Sequence, residues 1–198
     1  MEPKESVRKL PTMSLASVRK QFSVDDYNRM REVGILAEDD RLELLAGEIY
    51  TMSPVGPLHV ALVNRLNRLL QRQVGEQGIV SVQNPIRLDQ RSEPQPDLAI
   101  LAPRADFYSG ALATADDVLL LIEVADSSLA YDRDGKLPLY ARARMSEVWL
   151  LDVVSRTLTQ YTQPRHNSYA QRQAFGMGMS LRATLLPSVV VAVDEVFA

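Results

Sequence analysis

The chain contains no cysteine. That excludes a disulfide framework, a thiolate metal site and a cysteine nucleophile, and leaves chemistry to oxygen, nitrogen or a bound hard metal. It also lacks a long apolar run: the longest such stretches are strand-sized, and the N-terminal MEPKESVRKLPTMSLASVRKQ has no continuous hydrophobic segment of the kind a signal peptide requires. The expectation is a soluble, cytoplasmic protein. An excess of positive charge is missing too, with a formal net charge of -3 and a pI near 5.5. There is thus no global electrostatic footprint for nucleic acid, although a local basic surface is compatible with these numbers. No internal repeat or low-complexity segment is present.

What the chain does have is enough apolar material for a core, 46% hydrophobic in 198 residues. Residues 1–21 are polar and without a clean period, which reads as a mobile arm, and residues 22–198 read as a single domain. Ser23 and Asp26 form a capping-box pattern opening a short helix to about Val33, with Gly34 behind it. RLELLAGEIYTMSP holds two β-rich runs around Ala46-Gly47, a hairpin pattern. From Leu58 to Val74 apolar residues recur at steps of three and four while Arg65, Arg68 and Arg72 occupy another face, giving an amphipathic helix closed by Gly75.

Strands are expected in IVSVQNPIRL, PDLAIL, VLLLIEVA, EVWLLDVV and TLTQYTQ, with a helix from about Asp134 to Arg144. A strand-rich middle with a helix on either side implies an α/β domain with a mixed sheet, and the span from Glu123 to Trp149 has the length of a parallel crossover.

Asp97 opens one short strand and Glu123 ends the most apolar one. On neighbouring strands of suitable direction the two carboxylates would meet at one edge of the sheet, an arrangement that calls for a cation or a shared proton. Oxygen ligands without thiolates point to Mg²⁺ or Mn²⁺. Taken singly, an Asp before a strand is commonly a turn residue and a strand-end Glu commonly solvated. Lys136 alters that balance. In the first turn of the expected helix it stands at the wrong end for the helix dipole, so its placement calls for an acidic partner.

PDLAIL, LLLIEVADSS, YDRDGKLPLYARA and SEVWLLDV, with RLELLAGEIYTMSP and His59 ahead of them, together resemble the Uma2 family of bacterial proteins over about residues 22–163. The resemblance implies a restriction-endonuclease-like mixed β-sheet core flanked by helices and a variant PD-(D/E)XK nuclease site. Asp97 and Glu123 would be metal ligands for Mg²⁺ or Mn²⁺. Ala125 occupies the usual E-x-K lysine position, so Lys136 on the following helix would supply the lysine that orients or activates water. Glu48 matches the acidic residue of the family's DGE stretch, with Ala46 in place of its Asp, and would complete the catalytic set; Glu43 is the nearby substitute. His59 and Tyr140 would border the substrate.

The departure at Asp126-Ser127-Ser128, where the family commonly has a Ser-Pro-Ser type segment, leaves loop geometry open. The implied activity is a metal-dependent endonuclease acting on nucleic acid, DNA rather than RNA, with homodimerisation a natural way to cut two strands. The alternatives are a non-catalytic nucleic-acid-binding or protein-interaction module that keeps the fold, and hydrolysis of a small phosphate ester.

Overall fold

The computed structural model describes residues 19–37 and 39–198. Most of the expected N-terminal arm, residues 1–18, lies outside the described residues. Residues 19–21 pack on the body of the domain: Arg19 reaches Glu48 at 3.1 Å and Gln21 accepts from Arg91. Helix α1 (Val24–Glu32) starts with the anticipated capping box, in which the Asp26 amide donates to Ser23 Oγ and the Ser23 amide to the Asp26 carboxylate.

Strands β1 (Leu42–Leu45) and β2 (Glu48–Thr51) form the hairpin, and Ala46 and Gly47 both take positive φ at its turn (51° and 84°). That is the geometry a right-twisted two-residue hairpin needs. A Cβ on Gly47 would come within 2.8 Å of the Gln21 side chain, so the close approach of the incoming chain also requires glycine.

Helix α2 (Pro57–Val74) buries Leu62, Leu66, Leu70 and Val74 along one stripe, each worth roughly 1.5–3 kcal/mol of transfer free energy for a leucine-sized side chain. Leu58, the first residue of the expected stripe, is instead half exposed in the first turn of the helix. Arg65, Arg68 and Arg72 occupy the exposed side.

The main sheet has six strands in the order β3 (Ile79–Val82), β4 (Leu98–Leu101), β5 (Val118–Ala125), β6 (Glu147–Asp152), β7 (Thr157–Arg165) and β8 (Ser168–Phe175). All neighbours are antiparallel except β5 and β6, which run parallel as the crossover length implied. The short pair β9 (Ser180–Arg182) and β10 (Val190–Ala192), with helix α5 (Val193–Phe197), packs beside α2.

Strand alternation divides the core in two. Leu120, Ile122 and Val124 of β5 join Trp149 and Leu151 of β6 against α2, while Leu121 and Ala125 join Val148 and Leu150 on the opposite face. Glu123 belongs by alternation to this second face.

The helix over that face departs from expectation. It begins at Leu129, not Asp134, and runs as α3 (Leu129–Tyr131), a π-helical turn (Asp132–Lys136) and α4 (Leu137–Arg142). Gly135 and Pro138 imitate a helix start in the sequence. Pro138 has no N–H for the Asp134 carbonyl, and the Leu137 amide bonds Asp132, five residues back, so the helix is widened and not interrupted. Lys136 therefore sits inside a helix, not in an unfavourable first turn, and its need for an acidic partner comes from burial and not from the helix dipole. Among the described residues no helix is long and apolar enough to cross a membrane.

Candidate active site

The β4–β5 ladder ends at Leu98 opposite Ile122, which sets Asp97 beside Glu123. The Val124 amide is satisfied by the side chain of Asp97 instead (2.9 Å to Oδ2), and the Asp97 amide approaches Glu123 Oε2 at 3.3 Å. The two carboxylates are thereby tied to each other's backbone.

Glu123 points under the α3–α4 helix. Lys136 Nζ lies 3.2 Å from its Oε1 and Tyr140 donates to the same oxygen at 2.5 Å. The π turn carries this geometry: it places Asp132 3.8 Å from Lys136 and keeps both inside, with Asp132 also accepting from Ser128 at 2.6 Å. From the hairpin, Glu43 reaches in to Lys136 at 3.1 Å and accepts from Tyr131 (2.9 Å) and from the Gln95 amide (3.1 Å). At the start of α2, His59 Nε2 meets Asp97 Oδ1 at 3.1 Å, and Gln83 donates to that oxygen at 3.2 Å. His59 Nδ1 is buried without a partner.

These groups form the floor of a cleft of about 330 Å³, walled by the Tyr50–Gly56 segment and by Asp126–Ser128. Glu43, Glu123 and Asp132 surround a single ammonium, an excess of negative charge in a poorly solvated place. Burial pushes the Glu123 carboxyl up to about 8 against the opposing pull of Lys136, and Asp132 and Asp97 add to the rise. Asp132 is raised for the same first reason, burial. Burial disfavours the Lys136 ammonium, but Glu123, Glu43 and Asp132 outweigh it and keep the lysine charged. Burial likewise opposes ionisation of Asp97, yet His59, the Val124 amide and Gln83 hold its carboxyl below the usual range. The hydrogen bond to Asp97 raises His59.

Asp97, Glu123, Lys136 and His59 are thus brought together. Glu48 is not: it is part-exposed on the hairpin, bonded to Arg19 and Tyr50, and the nearby substitute Glu43 occupies the cluster. The hairpin register explains it. Glu43 pairs with Tyr50 and Leu45 with Glu48, so Glu48 shares the face of Glu43 but lies two residues, about 7 Å, nearer the turn. Tyr140 is fully buried behind Glu123 and does not line the cleft, so it supports the carboxylate without facing a substrate.

Tyr131, Asp132, Gln83 and Gln95 were not singled out from the sequence. The Asp132–Lys136 spacing of four was the available signal for one of them.

The six-stranded mixed sheet with this cross-strand acidic pair defines a restriction-endonuclease-like α/β fold. Residues 24–194 match the Uma2 family, described as "Putative restriction endonuclease", and the chain belongs to that family. A solved structure from Anabaena variabilis, described as that of a putative nuclease, is similar with a TM-score of 0.69 and 13% identity. The match covers 89% of this chain and 97% of that one, and at this identity it concerns the fold. Comparison with curated proteins finds no match.

Proposed function

We propose that the protein is a metal-dependent nuclease that hydrolyses phosphodiester bonds by attack of water on phosphorus, in DNA in preference to RNA. The observation that carries this reading is the Asp97–Glu123 pair, fixed backbone to side chain at the floor of a cleft with Lys136 3.2 Å from Glu123.

The donor set fits a hard divalent cation such as Mg²⁺ or Mn²⁺: oxygen ligands only, and local negative charge that one lysine does not cancel. Among the described residues no group of three or more His, Asp or Glu side chains is arranged to hold a metal ion. A Mg²⁺-type site needs only one or two carboxylates, supplemented by water and substrate phosphate. Asp97 and Glu123 would hold the ion. When bound, it supplies a more acidic water and charge neutralisation at the phosphate.

The chain's own groups do the rest. Lys136 stays charged and has no lone pair to take a proton, so it orients the water and stabilises negative charge growing on the phosphate oxygens. Glu43 and Asp132 fix the direction of that ammonium, Tyr140 fixes Glu123, and His59 with Gln83 fixes Asp97.

The purified protein should cut members of a mixed DNA and RNA panel when Mn²⁺ or Mg²⁺ is added, and Asp97→Ala should abolish both cutting and metal binding. Neither cutting nor metal binding in the unaltered protein would overturn the reading. A second reading, binding without turnover, draws on Ala125 at the E-x-K lysine position. Metal-dependent cutting excludes it.

A further inference from the structure

Only two lysine or arginine side chains, Arg41 and Lys136, line the cleft among the described residues, and Lys136 is already engaged by Glu43, Glu123 and Asp132. Asp126 also lines the cleft and the whole chain carries a net charge of -3. Duplex binding draws its affinity mainly from neutralising phosphates with lysine and arginine, and this cleft offers little of that. Its volume, about 330 Å³, is at the small end for a pocket that takes a single organic ligand (roughly 300–1,000 Å³), and the reactive groups lie at its floor. Glu123 and Lys136 side chains are only 4% and 5% exposed.

The wall above them is of a different character. Tyr50, 37% exposed, lines the cleft beside Met52 and Val55. Its hydroxyl is tied to Glu48 at 2.7 Å, and its ring is tilted against Tyr131 with centroids 5.7 Å apart. The ring is therefore held in place before any ligand arrives, with an accessible surface toward the cleft. A fixed, accessible aromatic ring is what sequence-tolerant stacking of an unpaired base uses.

Resting on the nuclease reading, we infer that the substrate is single-stranded nucleic acid, with one unpaired base stacked on Tyr50 while the adjoining phosphate reaches Asp97, Glu123 and Lys136. A base inside a duplex cannot offer its face to the ring, so binding anywhere but at an end would first require the duplex to open. Binding energy comes from stacking more than from charge. A single strand also removes any need for two-fold symmetry in cutting.

The test uses the full chain with Ca²⁺ in place of Mg²⁺ for binding, and Mn²⁺ for cutting. A fluorescein-labelled DNA strand should bind at least about tenfold tighter than the same sequence as a blunt duplex. Its salt dependence should be shallow, a slope corresponding to about one or two phosphates at roughly 0.7 each. Tyr50→Ala should weaken strand binding by roughly five- to a hundredfold, the range for losing one stacked base, and Tyr50→Phe should recover most of it.

A strand carrying one 2-aminopurine checks stacking without altering the protein: its fluorescence should be quenched on binding. Duplex bound or cut as well as the strand, with no quenching and no effect of Tyr50→Ala, overturns this inference and leaves the nuclease reading standing. No cutting of either form, with no metal binding, overturns both.

Discussion

Two glutamates are buried in adjacent strands of the same sheet, and their surroundings are opposite. Glu147, at the start of β6, is 1% exposed and accepts from Trp149 Nε1, Gln160 Nε2 and the Thr184 amide at 2.6–2.7 Å. Its donors are neutral, and it lies on the α2 side of the sheet, away from the cleft. Glu123, near the end of β5, is 3% exposed but shares one ammonium with two other carboxylates at a cleft floor. Both satisfy the rule that buried polar atoms find hydrogen-bond partners. Burial of a carboxylate therefore does not mark a reactive site; uncancelled negative charge reachable from solvent does.

Substitution separates the two centres most sharply. Lys136→Ala should lower the rate constant for cutting by at least about 100-fold, the usual cost of deleting a group that stabilises charge in the transition state. The fold should survive, since Glu123 and Asp132 can take up protons; circular dichroism checks this. Glu147→Ala should do the reverse. It strands the buried Trp149 Nε1, at about 1–3 kcal/mol, and takes an acceptor from the part-buried Gln160 and Thr184 donors, so Tm should fall by roughly 5 °C or more. Activity per folded molecule, measured well below Tm, should be unchanged. Loss of activity in Glu147→Ala without loss of stability would break the comparison.

The sequence carries this distinction unevenly. The Asp97–Glu123 pairing was readable as far as strand order allowed: Pro96 precedes an aspartate that opens one strand pattern, and an apolar run with a single acid near its end has one obvious place in a sheet. The two acids meet if those strands are neighbours of suitable direction. Lys136 was placed by motif order. Its setting was not readable, since Gly135 and Pro138 give the signal of a helix start while a π turn absorbs them into a helix already under way. The choice between Glu43 and Glu48 was equally hidden. Three of the four β1 residues are buried, so alternation does not reveal that Glu43 faces the cleft, and only the hairpin register separates the two acids. Glu147 carried no sequence signal of burial, because its three acceptor bonds come from residues up to 37 positions away.

Glu43→Gln probes the charged centre more gently. The amide keeps one acceptor oxygen, which can serve the Gln95 amide, and its NH2 can donate to the Tyr131 hydroxyl, but it no longer attracts the ammonium by charge. As a positioning residue it should lower kcat on the order of tenfold with KM little changed, the pattern of a misdirected Lys136 and not of a lost substrate contact. An equal rise in KM would instead place Glu43 in direct contact with substrate.

The smallest effect is a pH dependence of stability in the metal-free protein. Glu123 has its carboxyl raised from 4.5 to about 8, chiefly by burial, so the folded chain holds a proton there that the unfolded chain releases. Its contribution is fully present below about 4.5 and is lost as pH rises through about 8. Asp132, also raised by burial, and His59, raised by its bond to Asp97, act in the same sense: each favours the folded chain when protonated. Lys136, raised by its three acids despite burial, stays charged throughout the range and adds no slope there. Asp97, held low by His59 and the Val124 amide against burial, loses its contribution only on acidification below the ordinary aspartate range. Thermal melts in EDTA should therefore show Tm falling from about pH 5 to about pH 8.5, and Glu123→Gln should flatten that fall while leaving the part due to His59 and Asp132. A Tm that rises over this interval would mean that Glu123 is ionised in the folded protein, and the charged centre would then differ from the neutral one in its partners but not in its proton balance.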